Sequence, residues 1–457
     1  MASGSLSVKK YEIDMCNGPL LGKMLKFYFP LMASSMLQLL FNAADIIVVG
    51  RFAGPEALAA VGSTSSLINL LTNLFMGLSV GANVMVARYY GADQDDELSD
   101  MVHTAITTAL ISGVVLLAVG LFLTGPILTA MGTTADALPL AKIYIRIYFC
   151  GMPFMMLYNF GAAILRAIGD TRRPFIYLFI SGFINFVLNL VFVIPFKMSV
   201  SGVALATIIS QGIAAFLIIR CLMNTDAAYR LILTKLHVTG DKFLKMIGIG
   251  IPAGLQGVLF SFSNVIIQSS VNTFDTTAVA GNTAGMNLEG FVYMAMNAFS
   301  QTSLSFSGQN YGARKFDRIK KIMWLSLICV TVTGLIFGGT FILFAKPLLH
   351  LYTTDPAVIS YGVLRLRYIC TAYFLCGTMD TIVGVLRGMG YSIMPMIVSL
   401  TGACLFRIVW IFTIFRQIHK LEVLYISYPI SWFITTAVHL ICFAICFRRV
   451  SKGRSQS

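Results

Sequence analysis

Gln38, Asn42 and Asp45 stand at i, i+4 and i+7 within an apolar run near residues 25–49, so a helix carries all three on one face. Pro30 lies two turns before Gln38, where it removes a backbone hydrogen bond and permits a kink. Asp45 is the only acidic residue inside the apolar runs of the first half. A carboxylate held away from water can bind and release a proton near physiological pH, and acids buried in spans are usually functional. The plainer alternative places Asp45 at the outer end of its span, paired with Arg51 or wet. Asn185 and Asn189 form a second i, i+4 pair, and Asn159 and Thr207 in neighbouring runs could complete a polar pocket. Taken singly, such groups are glue between helices, contributing about 1 kcal/mol or less.

The second half carries a different set. Glu289, Tyr293 and Asn297 mark one helical face, and Asp380 and Arg407 lie in later apolar runs. An arginine alone in mid-membrane is costly, so Arg407 is expected to pair with Asp380 or Glu289. Such a pair could hold geometry permanently or be broken by a proton or substrate. Asn264, Gln268 and Asn272 stripe a further helix at four-residue spacing, as glue or as cavity lining.

These residues need helices to position them, and the composition supplies helices of one kind. Of 457 residues 57% are apolar and 11% charged, against a soluble norm of about 25% charged. Twelve apolar blocks read as spans near 25–49, 58–88, 101–124, 139–162, 174–196 and 201–223, then 244–274, 279–308, 320–345, 357–385, 394–416 and 424–447. Each is long enough to cross about 30 Å of hydrocarbon. Residues 1–23 have no apolar core, so the first span is read as retained rather than cleaved. With the N-terminus cytoplasmic, the inside segments hold 23 Lys and Arg and the outside segments nine. That bias places both termini in the cytoplasm and explains the net charge of +14 as topology, with no nucleic-acid partner required. Nine Cys without a CxxC pair and five scattered His give no metal site, and the cysteines read as packing residues. No nucleotide-binding loop, HExxH or GxSxG is present, which removes support for ATP-driven transport by this chain and for most membrane enzymes.

The twelve spans fall into two copies. LRAIGDTRRP at 165–174 returns as LRGMGYSIMP at 386–395, with Leu165, Arg166, Gly169 and Pro174 each displaced by 221 positions. Tyr90-Gly91-Ala92 returns as Tyr311-Gly312-Ala313 at the same offset. Six spans per copy is an even number, so the copies run the same way and form parallel repeats. Domains are expected at 24–223 and 243–447, joined by a cytoplasmic linker at 224–242 and flanked by cytoplasmic tails at 1–23 and 448–457. The expected fold is all-α integral membrane, twelve helices in two pseudo-symmetric six-helix bundles. Duplicated membrane halves point to a transporter, because moving one half against the other opens a site to either side. The ionisable residues were not copied with the scaffold, so the ion site is sought around Asp45 in one half.

FAGPEALAAVG after the first span, LRAIGDTRRP, GQNYGARKFDRIKK and LRGMG together resemble recurring segments of the multidrug and toxic compound extrusion (MATE) transporters, over essentially the whole chain. The resemblance implies a V-shaped transporter in a cell membrane that exports varied organic compounds, often cationic and aromatic, in exchange for H⁺ or Na⁺. It implies a first-half site at Pro30, Gln38, Asp45, Asn185 and Thr207, with ion binding at Asp45 bending the first helix at the proline. Where the family often carries a second Asp in the fifth span, this chain has Asn189, leaving Asp45 as the one titratable group there. The expected partners are small organic substrates, the coupling ion and membrane lipid, with no cofactor and no metal, and the expected state is a monomer. A lipid-linked sugar flippase of the wider superfamily is the alternative, and a membrane enzyme or receptor a more distant one. Thirty-four Phe and 23 Met would suit an adaptable cavity, although most must be packing and lipid-facing residues.

Overall fold

The computed structural model describes residues 11–130 and 136–453, so the outermost parts of the expected tails lie outside the described residues. Within them the chain is helical and no strand occurs. Helix α1 (Leu20–Val48) runs on as a π-helical turn (Val49–Ala53) and is followed by α2 (Pro55–Gly91), α3 (Asp95–Phe122), α4 (Thr124–Ala130), α5 (Leu138–Cys150), α6 (Met152–Ala167), α7 (Arg172–Val193) and α8 (Ser199–Met223). The second series comprises α9 (Gly240–Val271), α10 (Thr276–Gly312), α11 (Phe316–Leu343), α12 (Ala345–His350), α13 (Pro356–Thr371) and α14 (Tyr373–Gly388). It ends with α15 (Ile393–Ser399), α16 (Phe406–Trp410) and α17 (Leu421–Gly453), where π-helical turns at Leu400–Leu405 and Ile411–Phe415 make α15 and α16 one continuous rod.

Among the described residues nine helical segments are long and apolar enough to cross a membrane, and the bent pairs α5–α6 and α13–α14 raise the number to eleven. Each pair is kinked by 46°. The first kink follows from Gly151-Met152-Pro153, since Pro153 offers no amide to the turn before it. The remaining span of the twelve is helix α10, which falls short in hydropathy. Its Ser303, Ser305, Ser307, Gln309 and Asn310 are buried where it packs on α11, α13 and α14, so its polarity faces protein rather than lipid.

The duplication is visible element by element. Pro55 and Thr276, Asp95 and Phe316, Thr124 and Ala345, Met152 and Tyr373, and Arg172 and Ile393 begin matching helices, each pair 221 positions apart. The repeated Leu-Arg motif ends α6 and α14 in the same way: Gly169 and Gly390 take φ of +101° and +89°. Asp170 N donates to Leu165 O at 2.9 Å and Tyr391 N to Leu386 O at 2.9 Å. These are αL helix caps, which favour glycine. Gly169 is further constrained, because a Cβ there would lie 2.4 Å from the carbonyl oxygen of Ile13. Gly169→Ala is therefore expected to cost at least about 1–2 kcal/mol from the left-handed backbone alone, read as a lowered unfolding temperature in detergent.

The chain forms two compact units, Met1–Asp14 with Phe29–Gly254, and Met15–Tyr28 with Leu255–Ser457. The chain changes unit inside α1 beside Pro30 and inside α9 beside Pro252, the two prolines within those helices. The 224–242 segment belongs to the first unit. It is held there by Leu231 N to Leu222 O at 3.0 Å, Ile232 N to His103 Nε2 at 3.1 Å and Thr239 N to Thr104 Oγ1 at 3.1 Å.

Candidate functional site

In the first unit, Asp45 lies at the C-terminal end of α1 and is half-buried. The amide of Asn189 on α7, fully buried, donates one hydrogen bond to the Asp45 carboxylate and a second to Asn185 Oδ1 at 2.8 Å. Asn185 Nδ2 in turn reaches Thr207 Oγ1 at 3.4 Å and Ser210 Oγ at 3.3 Å on α8. One polar chain thus links α1, α7 and α8 through four of the residues expected from the sequence. No Lys or Arg pairs with Asp45 among the described residues, and Arg51 is exposed. Asn189 Oδ1 is buried without a partner. The site therefore offers a carboxylate, neutral oxygen donors and one unused acceptor, a set suited to a proton or a hard cation.

The other candidates of this half stand apart from the chain. Gln38 and Asn42 share the α1 face with Asp45 but are exposed, and neither hydrogen-bonds to it. Asn159 Nδ2 bonds back to Met155 O at 2.8 Å on its own helix. Pro30 lies inside α1, and Ser34 Oγ donates to its carbonyl at 2.8 Å. Sequence reasoning missed Ser210, a single serine in an apolar helix. It also missed Tyr144 and Tyr148 of α5, which lie within electrostatic reach of Asp45. Their i, i+4 spacing was the available signal.

In the second unit, Glu289 on α10 is 7% exposed and forms a two-pronged ion pair with Arg365 on α13, itself 3% exposed. Arg365 Nε reaches Glu289 Oε2 at 3.2 Å, Nη2 bonds Oε1, and Nη1 donates to Asn282 Oδ1 at 2.7 Å. Tyr425 Oη donates to the same Asn282 oxygen at 3.0 Å, Asn282 Nδ2 to Gln268 Oε1 at 3.3 Å, and Gln268 Nε2 to Asn272 Oδ1 at 2.9 Å. Asn264, from the same stripe, is exposed and outside this network. One helical turn along α10, Tyr293 Oη donates to Asp380 Oδ2 at 3.3 Å and accepts from Asn297 Nδ2 at 3.4 Å.

Arg407 corrects an expectation, since it pairs with neither Asp380 nor Glu289. It is 4% exposed and sits in α16 between the two π-helical turns. Its Nε donates to Ser431 Oγ at 2.9 Å, and its guanidinium carbon lies 4.1 Å from the Tyr428 ring centroid and 5.4 Å from that of Trp432. One of its Nη groups is buried without a partner. Aromatic faces take the place of a carboxylate beside Arg407, while Glu289 is held by Arg365. Arg407→Met is expected to cost under about 2 kcal/mol, since no anion is stranded by it. A loss of unfolding temperature as large as that of Arg365→Met would contradict this account.

A duplicated all-helical membrane scaffold with a polar network inside each unit defines a membrane transporter. The MatE family model matches the chain twice, at 30–191 and 252–413, a displacement within one residue of the motif repeat. The chain belongs to the MatE family, whose members are transporters and not enzymes. It is 29% identical over 82% of its length to the probable multidrug resistance protein YoeA of Bacillus subtilis, covering 82% of that protein. It is 27% identical to an FAD transporter of Shewanella oneidensis, covering 79% of this chain and 80% of that one. Among solved structures it matches a multidrug resistance MATE transporter in its outward-facing conformation, with a TM-score of 0.91, 21% identity, and coverage of 96% of this chain and 99% of that one. That likeness confirms the twelve-helix fold.

Proposed function

We propose that this protein is a secondary active antiporter of a cell membrane, exporting small organic compounds, often cationic and aromatic, in exchange for H⁺ or Na⁺ by alternating access. The observation that carries the reading is an Asp45 carboxylate held by a neutral amide, with no cationic partner among the described residues and an unused acceptor beside it. An ionised carboxylate accepts a charge-assisted hydrogen bond from Asn189, about twice as strong as a neutral one. A proton on Asp45 removes that charge, and a sodium ion competes for the same oxygens, so either ion loosens the tie between α1 and α7. Pro30 leaves the carbonyl four residues before it without a helical donor, so α1 can bend there in response. Both termini cytoplasmic and a monomeric state complete the proposal.

The names of several relatives support drug export; the FAD transporter supports a second reading, an aromatic anion as substrate. That reading is favoured by the buried Arg407, stacked on aromatic rings with one Nη group unpaired. Purified protein in liposomes should move ethidium under an imposed H⁺ or Na⁺ gradient. Movement of a flavin nucleotide but not ethidium would favour the second reading, and transport of a lipid-linked sugar alone would select the flippase.

A further inference from the structure

The first unit carries a groove that the ion site does not use. It lies along α6 and α8, has a volume of about 620 Å³, and is walled by Phe154, Leu157, Phe216 and Ile219. Gly212 forms part of its floor, and Arg220 and Asn224 stand at one end, beside Leu233 of the 224–242 segment. Phe216 is 62% exposed and Phe154 40%, on helices that by length and apolarity belong in hydrocarbon. Arg220 is exposed and its side chain has no partner among the described residues. It lies in the last turn of α8, where the basic loops gather; by the positive-inside bias this is the cytoplasmic headgroup level. The 224–242 segment sits at the same level: Leu233 is 49% exposed beside Lys235, an apolar and basic pairing suited to the membrane surface.

An apolar channel that ends in an unpaired guanidinium at headgroup depth matches one ligand chemistry, an acyl chain continuous with a phosphate. We infer that this groove binds an anionic phospholipid of the cytoplasmic leaflet, its acyl chain against Phe154 and Phe216 and its phosphate on Arg220. A zwitterionic lipid would satisfy the walls equally but would gain less from the guanidinium, so the site should discriminate by headgroup.

The test is native mass spectrometry of the purified full-length protein titrated with phosphatidylglycerol or phosphatidylcholine. The wild type should retain one phosphatidylglycerol at lower lipid concentration than phosphatidylcholine. Arg220→Gln should weaken phosphatidylglycerol about fivefold, the worth of one basic residue at the membrane surface, and leave phosphatidylcholine unchanged. The exposed Arg172→Gln should change neither. A Cβ at Gly212 meets nothing nearer than the Phe154 ring at 3.9 Å, so Gly212→Phe should fold, fill the groove and weaken both lipids. Equal occupancy by the two lipids, or unchanged phosphatidylglycerol binding in Arg220→Gln, would overturn the proposal. So would retention of ethidium in place of lipid with the same sensitivity to Gly212→Phe, which would assign the groove to transported substrate.

Discussion

Cells expressing the Asp45→Asn variant are expected to accumulate ethidium to the level of cells with no transporter, while making and folding the protein normally. The replacement has nearly the same shape. Its amide oxygen can still accept from Asn189 Nδ2, so the link from α1 through α7 to α8 survives in neutral form. The stability change should stay near 1 kcal/mol, the usual range for exchanging one hydrogen-bond acceptor for another. What disappears is the capacity to gain or lose a proton and the negative charge a sodium ion needs. Asn159 and Asn42, which make no hydrogen bond to that link, serve as controls, and alanine at either should leave export much closer to wild type. Undiminished export by Asp45→Asn would remove this carboxylate from coupling.

Arg365→Met is expected to be the most damaging single substitution in the second unit. It strands a buried Glu289 carboxylate and removes a donor from Asn282, a loss of about 3–5 kcal/mol by the behaviour of broken buried ion pairs. Glu289→Gln should cost a comparable amount, because a guanidinium is then left without its anion. The double variant, Arg365→Met with Glu289→Gln, should recover much of the loss, since neither charge remains to be compensated. Unfolding temperatures of the four proteins in one detergent at one heating rate give the comparison. Strictly additive losses would mean that the pair contributes little as a pair. Removing a permanent tie should also lower transport in proportion to folded protein and no further.

The residues around Asp45 were legible because helical periodicity fixes which side chains share a face, and a carboxylate within a span is rare enough to draw notice. Periodicity gave a face and not a neighbour. Gln38 and Asn42 lie on the same stripe as Asp45, yet of the three only Asp45 is hydrogen-bonded to α7. Arg365 escaped because Leu-Arg-Leu-Arg-Tyr near the start of a span reads as its polar edge, and only the kinked packing of α13 against α10 brings it onto Glu289. Arg407 is buried, but its partners are not the carboxylates expected from the sequence. Its companions are Tyr428 and Trp432 on α17, aromatic residues that look like any others in an apolar helix. The repeat itself was the most legible feature, since caps such as Gly169 and Gly390 need a left-handed backbone that glycine favours.

The central claim is that one carboxylate in one unit carries the coupling ion. The most direct test places purified protein in liposomes with a H⁺ or a Na⁺ gradient imposed separately, and follows both substrate and ion. The account predicts that at least one gradient drives substrate movement with a measurable counterflow of that ion, and that Asp45→Asn abolishes both together. Gradient-driven movement with ion counterflow persisting in Asp45→Asn, and lost instead in Asp380→Asn, would contradict it by placing the coupling site in the other unit.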